Sequence, residues 1–213
     1  MARLLLLARH ASTGAAYHRR YVGSTDVPLD AASRWHPDAL IALIGQHRPQ
    51  RCFSSPLRRA TETAQALALP LGLAVEADPD LREIDFGRWE GRTFEEIQQS
   101  DPQAVNEWAA RPADFVFPGG EAVRDFVARI GRAADRMAAN PAEIVLAITH
   151  GGVVRTAICH LLGLPVHNYL LFDVRPASLA TIELFDGKGV LTGLDNSCGL
   201  PPEGHSRIAP SGG

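Results

Sequence analysis

The sequence predicts an α/β protein: a three-layer α/β/α sandwich around a mostly parallel central sheet. Three observations predict it. Short apolar runs at Arg3–Ala8, Arg51–Ser54 and Ile144–Ile148 have the length of buried strands. They alternate along the chain with segments of helical periodicity, the pattern of parallel strands joined by crossover helices. Hydrophobic residues make up 46% of the 213 residues, enough to build a sizeable core.

The elements follow in order. Arg3–Ala8 ends in polar residues and reads as the first strand. From about Trp35 to His47, the spacing of Ala39, Leu40, Leu43 and Ile44 predicts a helix. Arg51–Ser54 is the second strand, and Pro56 is expected to open a helix running to about Ala68, since proline suits a first turn. Leu73–Glu76 is a candidate third strand. Residues 77 to 120 are largely irregular, with short helices at Glu95–Gln99 and Gln103–Ala110. A long helix is expected from Glu121 to about Ala139, with Val123, Phe126, Val127 and Ile130 on one face. Ile144–Ile148 is the clearest strand and Gly152–Leu162 the helix after it. Leu170–Val174 and Leu179–Phe185 read as strands near the C-terminus. One domain is expected over residues 1–200, with a disordered tail at 201–213, where proline, glycine and serine prevail.

Composition narrows the function. Charged residues are 21% of the chain and the net charge is −3, so nothing points to a nucleic-acid or membrane partner. Any anion site must be a local cluster of arginine or lysine. The apolar run Leu4–Ala8 is too short for a signal-peptide core, and no stretch approaches the ~20 apolar residues of a membrane span. Cys52, Cys159 and Cys198 are odd in number and lack CxxC spacing, which argues against a disulfide framework or zinc site and fits a cytoplasmic protein.

In open α/β sheets, ligands bind beyond the C-terminal ends of the strands near a topological switch point. The first strand ends in Arg9-His10, the second is followed by Ser54-Ser55-Pro56-Leu57-Arg58-Arg59, and the clearest ends in Thr149-His150-Gly151-Gly152. Two histidines and two or three arginines thus stand at strand-to-helix junctions, where helix N-termini add free backbone N–H donors. Arginine forks match the oxygens of a phosphate monoester bidentately. Each residue also has a plain structural reading: a solvated turn for Arg9-His10, a turn cap for His150, an i,i+4 ion pair between Arg58 and Glu62, and an exposed charge for Glu83.

Four segments carry a resemblance. Leu7-Ala-Arg9-His10-Ala-Ser-Thr13, Ser55-Pro-Leu-Arg58-Arg-Ala-Thr-Glu-Thr-Ala64, Leu81-Arg-Glu83-Ile-Asp-Phe-Gly-Arg-Trp-Glu-Gly91 and Thr149-His150-Gly-Gly-Val-Val-Arg155 resemble, in the right order, the motifs of the histidine phosphatase superfamily. The match covers residues 3 to about 186 and implies a phosphoglycerate mutase-like fold. It implies a metal-independent phosphatase, with His10 as the nucleophile that becomes a phosphohistidine. Arg9, Arg58 and His150 would hold the phosphoryl oxygens, and Glu83 would be the general acid and later the base. Gly151, Thr13, Tyr21 and Trp89 are the further expected substrate contacts. Ala11 stands where the family usually has glycine, Ala16 where it often has asparagine, and Ala122 where it often has serine.

No cofactor is implied, and no metal: the eight histidines form no HxH or HxxxH spacing. Gly119-Gly120 lacks the context of a nucleotide loop and is expected to end a loop before the Glu121 helix. The expected partner is a small phosphorylated metabolite; the oligomeric state is open, a homodimer included. Mutases of the superfamily carry a longer insertion between the acid segment and the second histidine, which favours a phosphatase here. A cofactor-dependent phosphoglycerate mutase and a non-catalytic phosphate-binding module are the alternatives. Tyr21-Val-Gly23-Ser-Thr-Asp26-Val-Pro28-Leu29, Asp85-Phe-Gly-Arg-Trp89-Glu-Gly91 and Pro118-Gly-Gly-Glu121 with Phe126 and Arg129 look most like the α-ribazole-5′-phosphate phosphatase branch of cobalamin synthesis. On that reading the pocket mouth is formed by the Ala15–Val22 loop and the Arg88–Trp89 neighbourhood. Trp89 or Tyr17 would stack on the base, while His18, Arg19 and Arg20 would touch its polar edge.

Overall fold

A computed structural model describes residues 2–30, 37–110, 113–186 and 188–198. The strands are β1 (Leu4–Arg9), β2 (Arg51–Ser54), β3 (Val75–Ala77), β4 (Ile144–Thr149), β5 (Leu179–Phe185) and β6 (Lys188–Asp195). The α-helices are α1 (Pro37–His47), α2 (Arg58–Ala68), α3 (Phe94–Ser100), α4 (Pro102–Ala110), α5 (Val123–Ala138) and α6 (Gly151–Leu162). The strands form one sheet in the order β3-β2-β4-β1-β5-β6. The pairings from β3 to β1 are parallel, while β5 and β6 join antiparallel.

Alternation along the central strands divides the core into two layers. Leu5, Leu7, Val145 and Ala147 face one side, with Phe126 and Ile130 of α5 and Val154 and Ile158 of α6. Leu6, Ala8, Leu146 and Ile148 face the other, with Leu40 and Ile44 of α1 and Ala64 and Leu67 of α2. Strands buried on both faces read as continuous apolar runs, which is why β1 and β4 stand out in the sequence.

The chain leaves β1 through α1 and returns at β2, two positions away, and β4 later fills the gap. The β1/β4 seam is therefore the switch point. Register pairs Arg9 with Thr149, so His10 and His150 leave the sheet side by side.

Several expectations need correction. Leu170–Val174 is not a strand: Val166–Leu171 is a 3-10 turn and no ladder includes residues 172–174. The edge of β1 that such a strand would use is taken by β5, and Leu170 and Leu171 are exposed. Pro56 does not open α2, which begins at Arg58; the Leu57 N–H donates to Ser55 Oγ in a tight turn before the helix. The third strand lies at Val75–Ala77, slightly later than expected. Strand β6 was not anticipated: Gly189 and Gly193 break its apolar pattern, although the Asp-Gly dipeptide at 186–187 is a hairpin signal. Residues 31–36, where the first helix was expected to begin, and the tail 199–213 lie outside the described residues. No helix among the described residues is long and apolar enough to cross a membrane.

Candidate active site

His10 leaves β1 with its N–H donating to Thr149 O (2.8 Å) and its carbonyl accepting from Ala177 N–H (3.1 Å). Its ring is fixed as well. Nδ1 lies 2.7 Å from Ala11 O, and a carbonyl only accepts, so Nδ1 carries the proton and Nε2 keeps its lone pair. Burial, aided by Arg9 and Arg59, holds the imidazole well below its ordinary value, so it is neutral at pH 7. The His150 ring stands edge-on to it, centroids 5.1 Å apart. His150 Nε2 is held 2.7 Å from Ser55 Oγ at the end of β2. Its Nδ1 is buried without a protein partner. Burial, then Arg59, keeps this ring neutral too.

Two arginines serve this pair, and one is not the arginine expected. Arg9 donates from Nη1 to Val174 O (2.8 Å), while its buried Nε has no protein partner. Burial beside Arg155 lowers its guanidinium to about 10, so it stays charged. Arg58 is corrected: its side chain is exposed and pairs with Glu62 one turn along α2. Arg59 is the buried one, and its charge is felt by both histidines. It donates to Thr25 O (2.9 Å) and Gly23 O (2.7 Å), which hold its fork in place. The signal was helical spacing: Arg59, Ala60, Thr63, Ala64 and Leu67 are the sheet-facing set, and Arg58 lies on the outer face.

Glu83 meets this cluster from the loop after the 3-10 turn Pro79–Leu81. Its Oε2 accepts from Gly152 N–H (2.9 Å) in the first turn of α6 and its Oε1 from Ile84 N–H (3.1 Å). Gly152 permits the approach, since a Cβ there would lie 2.5 Å from Glu83 Oε1. Glu83 in turn counters the fall in both Arg9 and Arg59. The chain thus brings together His10, His150, Arg9, Arg59 and Glu83. No group of three or more His, Cys, Asp or Glu side chains among the described residues could hold a metal ion, and the three cysteines are free and buried.

The model of the histidine phosphatase superfamily, branch 1, matches residues 5–197. The chain belongs to that superfamily. It is 35% identical over 148 residues to a bifunctional protein of Mycobacterium tuberculosis; the match takes in 68% of this chain and 40% of that protein's length. It is 32% identical over 177 residues to the glucosyl-3-phosphoglycerate phosphatase of the same species, covering 79% of each. The solved α-ribazole phosphatase of Shigella flexneri superposes with a TM-score of 0.80 at 26% identity, covering 94% of this chain and 100% of that one.

In this superfamily member a cavity of about 420 Å³ is lined by Arg9 and Gly151, the sequence neighbours of the two histidines, while neither histidine nor Arg59 lines it. Arg9, Glu83, Gly151 and Gly152 form its polar end, and Arg155 flanks it with Nε on Phe172 O (2.8 Å). Most of the remainder is apolar or aromatic, with Tyr21, Phe86, Trp108, Phe117, Phe126 and Tyr169 among its rings, while Thr156 and His167 add polar groups. Tyr21 and Gly151 line the cavity, and Arg19, Arg20 and Val22 contribute to the wall. Trp89 is corrected: it is 1% exposed, packs against Trp108, Phe115 and Phe117, and donates from Nε1 to Asp101 (3.2 Å). Arg88 points away to the same Asp101, and neither residue lines the cavity. Thr13 and Tyr17 are half-buried and do not line it, nor does exposed His18. Trp108 was the ring to find. It lies on α4, whose periodicity marks a helix without showing where it docks.

Proposed function

We propose that the chain is a phosphomonoester hydrolase working through a phosphohistidine on His10. The observation that carries this reading is the Nδ1–H···O=C bond to Ala11, which leaves a neutral ring with its Nε2 lone pair free. Nε2 attacks phosphorus and the bond to the leaving oxygen breaks. Glu83, which enters the reaction protonated, gives that oxygen its proton. Water then attacks the phosphohistidine, Glu83 takes the water's proton, and inorganic phosphate leaves as His10 is restored. Arg9, Arg59 and His150 hold the equatorial oxygens; Arg9 Nε and His150 Nδ1 are the buried groups without protein partners that suit this task. The arginines supply the positive charge, so activity is expected to survive exhaustive EDTA treatment.

The finer reading is α-ribazole-5′-phosphate as substrate. The aromatic cavity next to the polar end suits a planar apolar base on the leaving group, and the likeness to the Shigella α-ribazole phosphatase agrees with it. Stacking is worth roughly 0.5–1.5 kcal/mol, about a tenfold preference, so activity on small sugar phosphates is expected to persist at a lower kcat/KM.

His10→Ala is expected to abolish turnover, and wild type quenched under acid-sparing conditions to carry a phosphoramidate on His10 by mass spectrometry. Full activity in His10→Ala removes the mechanism. Steady-state kinetics on α-ribazole phosphate and glucose 6-phosphate test the substrate, with Trp108→Ala expected to lower the ratio of the two. A wild type that prefers the sugar phosphate ends the α-ribazole reading and leaves the chemistry standing.

A further inference from the structure

Helix α5 contributes nothing to the reaction chemistry above, yet its inner face grips the segment that carries Glu83. Arg129 is 9% exposed, and all five of its N–H donors are used. Nε and Nη2 form a fork onto Glu121, at 2.7 Å to Oε1 and 2.9 Å to Oε2. Nη1 donates to Asp80 O (2.8 Å) and Arg82 O (2.6 Å), and the second Nη2 hydrogen goes to Glu83 O (3.0 Å). Glu121 closes the ring from the other side. Its backbone N–H donates to Asp85 O (2.9 Å) and its Oε2 accepts from Asp85 N–H (3.3 Å). The main chain on both sides of Glu83 is therefore tied to one ion pair.

Two features separate this arrangement from an ordinary stabilising pair. Buried ion pairs are weak contributors to stability, because desolvation offsets most of the attraction. Here three of the five arginine donors go to carbonyls at and just before one side chain of the site. The approach is also tight: a Cβ at Gly120 would collide with Asp85 O and Gly87 N, so the glycine pair lets the Glu121 corner close on the acid loop. Further along α5, Arg132 and Arg136 reach Asp78 and Asp80 at the start of the same loop, at the more exposed end.

We propose that Arg129 and Glu121 are positioning residues that set the reach of the Glu83 carboxyl toward the leaving oxygen. The inference rests on the reading of Glu83 as proton donor. A general acid works only at hydrogen-bond reach of the atom it protonates, and a shift of the loop by a fraction of an ångström forfeits that reach. A lysine at 129 keeps the charge and loses the fork, since three donors on a flexible stem cannot hold Glu121 and three carbonyls together.

The test is leaving-group dependence. Values of kcat/KM are measured on p-nitrophenyl phosphate, whose leaving group needs no proton, and on an alkyl phosphate, whose leaving group does. Wild type, Glu83→Gln, Arg129→Lys and Glu121→Gln are compared, with vanadate inhibition and thermal unfolding as controls for an intact site and fold. Glu83→Gln is expected to lose about 10²–10⁴-fold on the alkyl phosphate and only a few-fold on the aryl one. Arg129→Lys is expected to follow the same pattern, losing at least about tenfold more on the alkyl substrate, with vanadate binding kept. Glu121→Gln, which keeps the size of the side chain, supplies the same readout if Arg129→Lys does not fold. Equal losses on both substrates in the clamp variants, with Glu83→Gln still selective, reduce the clamp to a structural role and overturn the proposal alone. Equal losses in Glu83→Gln itself overturn the assignment of the acid, and the clamp proposal with it.

Discussion

The difference between Arg58 and Arg59 is one of helix phase. Arg59 projects from the face of α2 that meets the sheet, where Thr63 Oγ1 donates to Arg59 O and accepts from Ala11 N–H, linking the helix to the residue after His10. Arg58 projects outward onto Glu62, and an exposed pair of that kind contributes little. Arg59→Ala is expected to lower kcat/KM by at least about 10²-fold, the usual loss on removing a preorganised charged donor. Arg58→Ala is expected to stay within about threefold of wild type. Comparable losses in the two variants would refute the assignment. At this scale the sequence was legible where a residue ends a strand, as His10 and His150 do, because the end of an apolar run can be read directly. It was less legible where a motif holds two adjacent arginines, since the motif match alone does not set the phase. Ala11 also becomes clear: it is buried with its N–H paired, and its φ is not among the positive values, so the usual glycine's freedom is not needed.

Loops held by carboxylates connect the elements around the site. Glu90 accepts from Gly23, Ser24, Thr25 and Phe86 N–H and from Thr25 Oγ1, and the carbonyls of that 23–25 loop orient Arg59. Glu121 does for the acid loop what Glu90 does for this one. Both fall within motifs quoted from the sequence, Glu121 beside Arg129, but neither was given this role there, because a carboxylate that binds backbone N–H groups has no partner visible in the chain's pattern. The helices and central strands were legible from periodicity. Strand β6 and the 166–171 turn were not, since both are short of apolar residues or expose them. Gly152 offers a test at this scale. A Cβ there meets the end of the flexible Glu83 side chain rather than backbone, so Gly152→Ala is expected to fold with a melting temperature close to wild type. It should displace the carboxyl and lower alkyl phosphate turnover by about tenfold or more, well beyond the loss on p-nitrophenyl phosphate. Unchanged alkyl phosphate kinetics would mean that Glu83 does not act from the place where α6 holds it.

For the molecule as a whole, the histidine pair couples chemistry to stability. His10 and His150 are both buried and both held well below their ordinary value, burial being the larger cause and the nearby arginines the next. In the unfolded chain each titrates near 6.5. Above that pH both states are neutral and nothing is lost. As pH falls below about 6.5 the unfolded chain takes up protons that the native rings refuse, so stability falls, by up to about 1.4 kcal/mol per pH unit for each histidine. The loss continues down to the native values, which lie well below the usual one. Urea unfolding of wild type between pH 7.5 and 5.5 is therefore expected to show stability declining with acid, in a range above most carboxylate titration. His150→Gln removes one of the two groups and is expected to flatten the slope measurably while His10 retains its share. Identical slopes in wild type and variant would show that His150 takes up its proton as readily in the folded state as in the unfolded one.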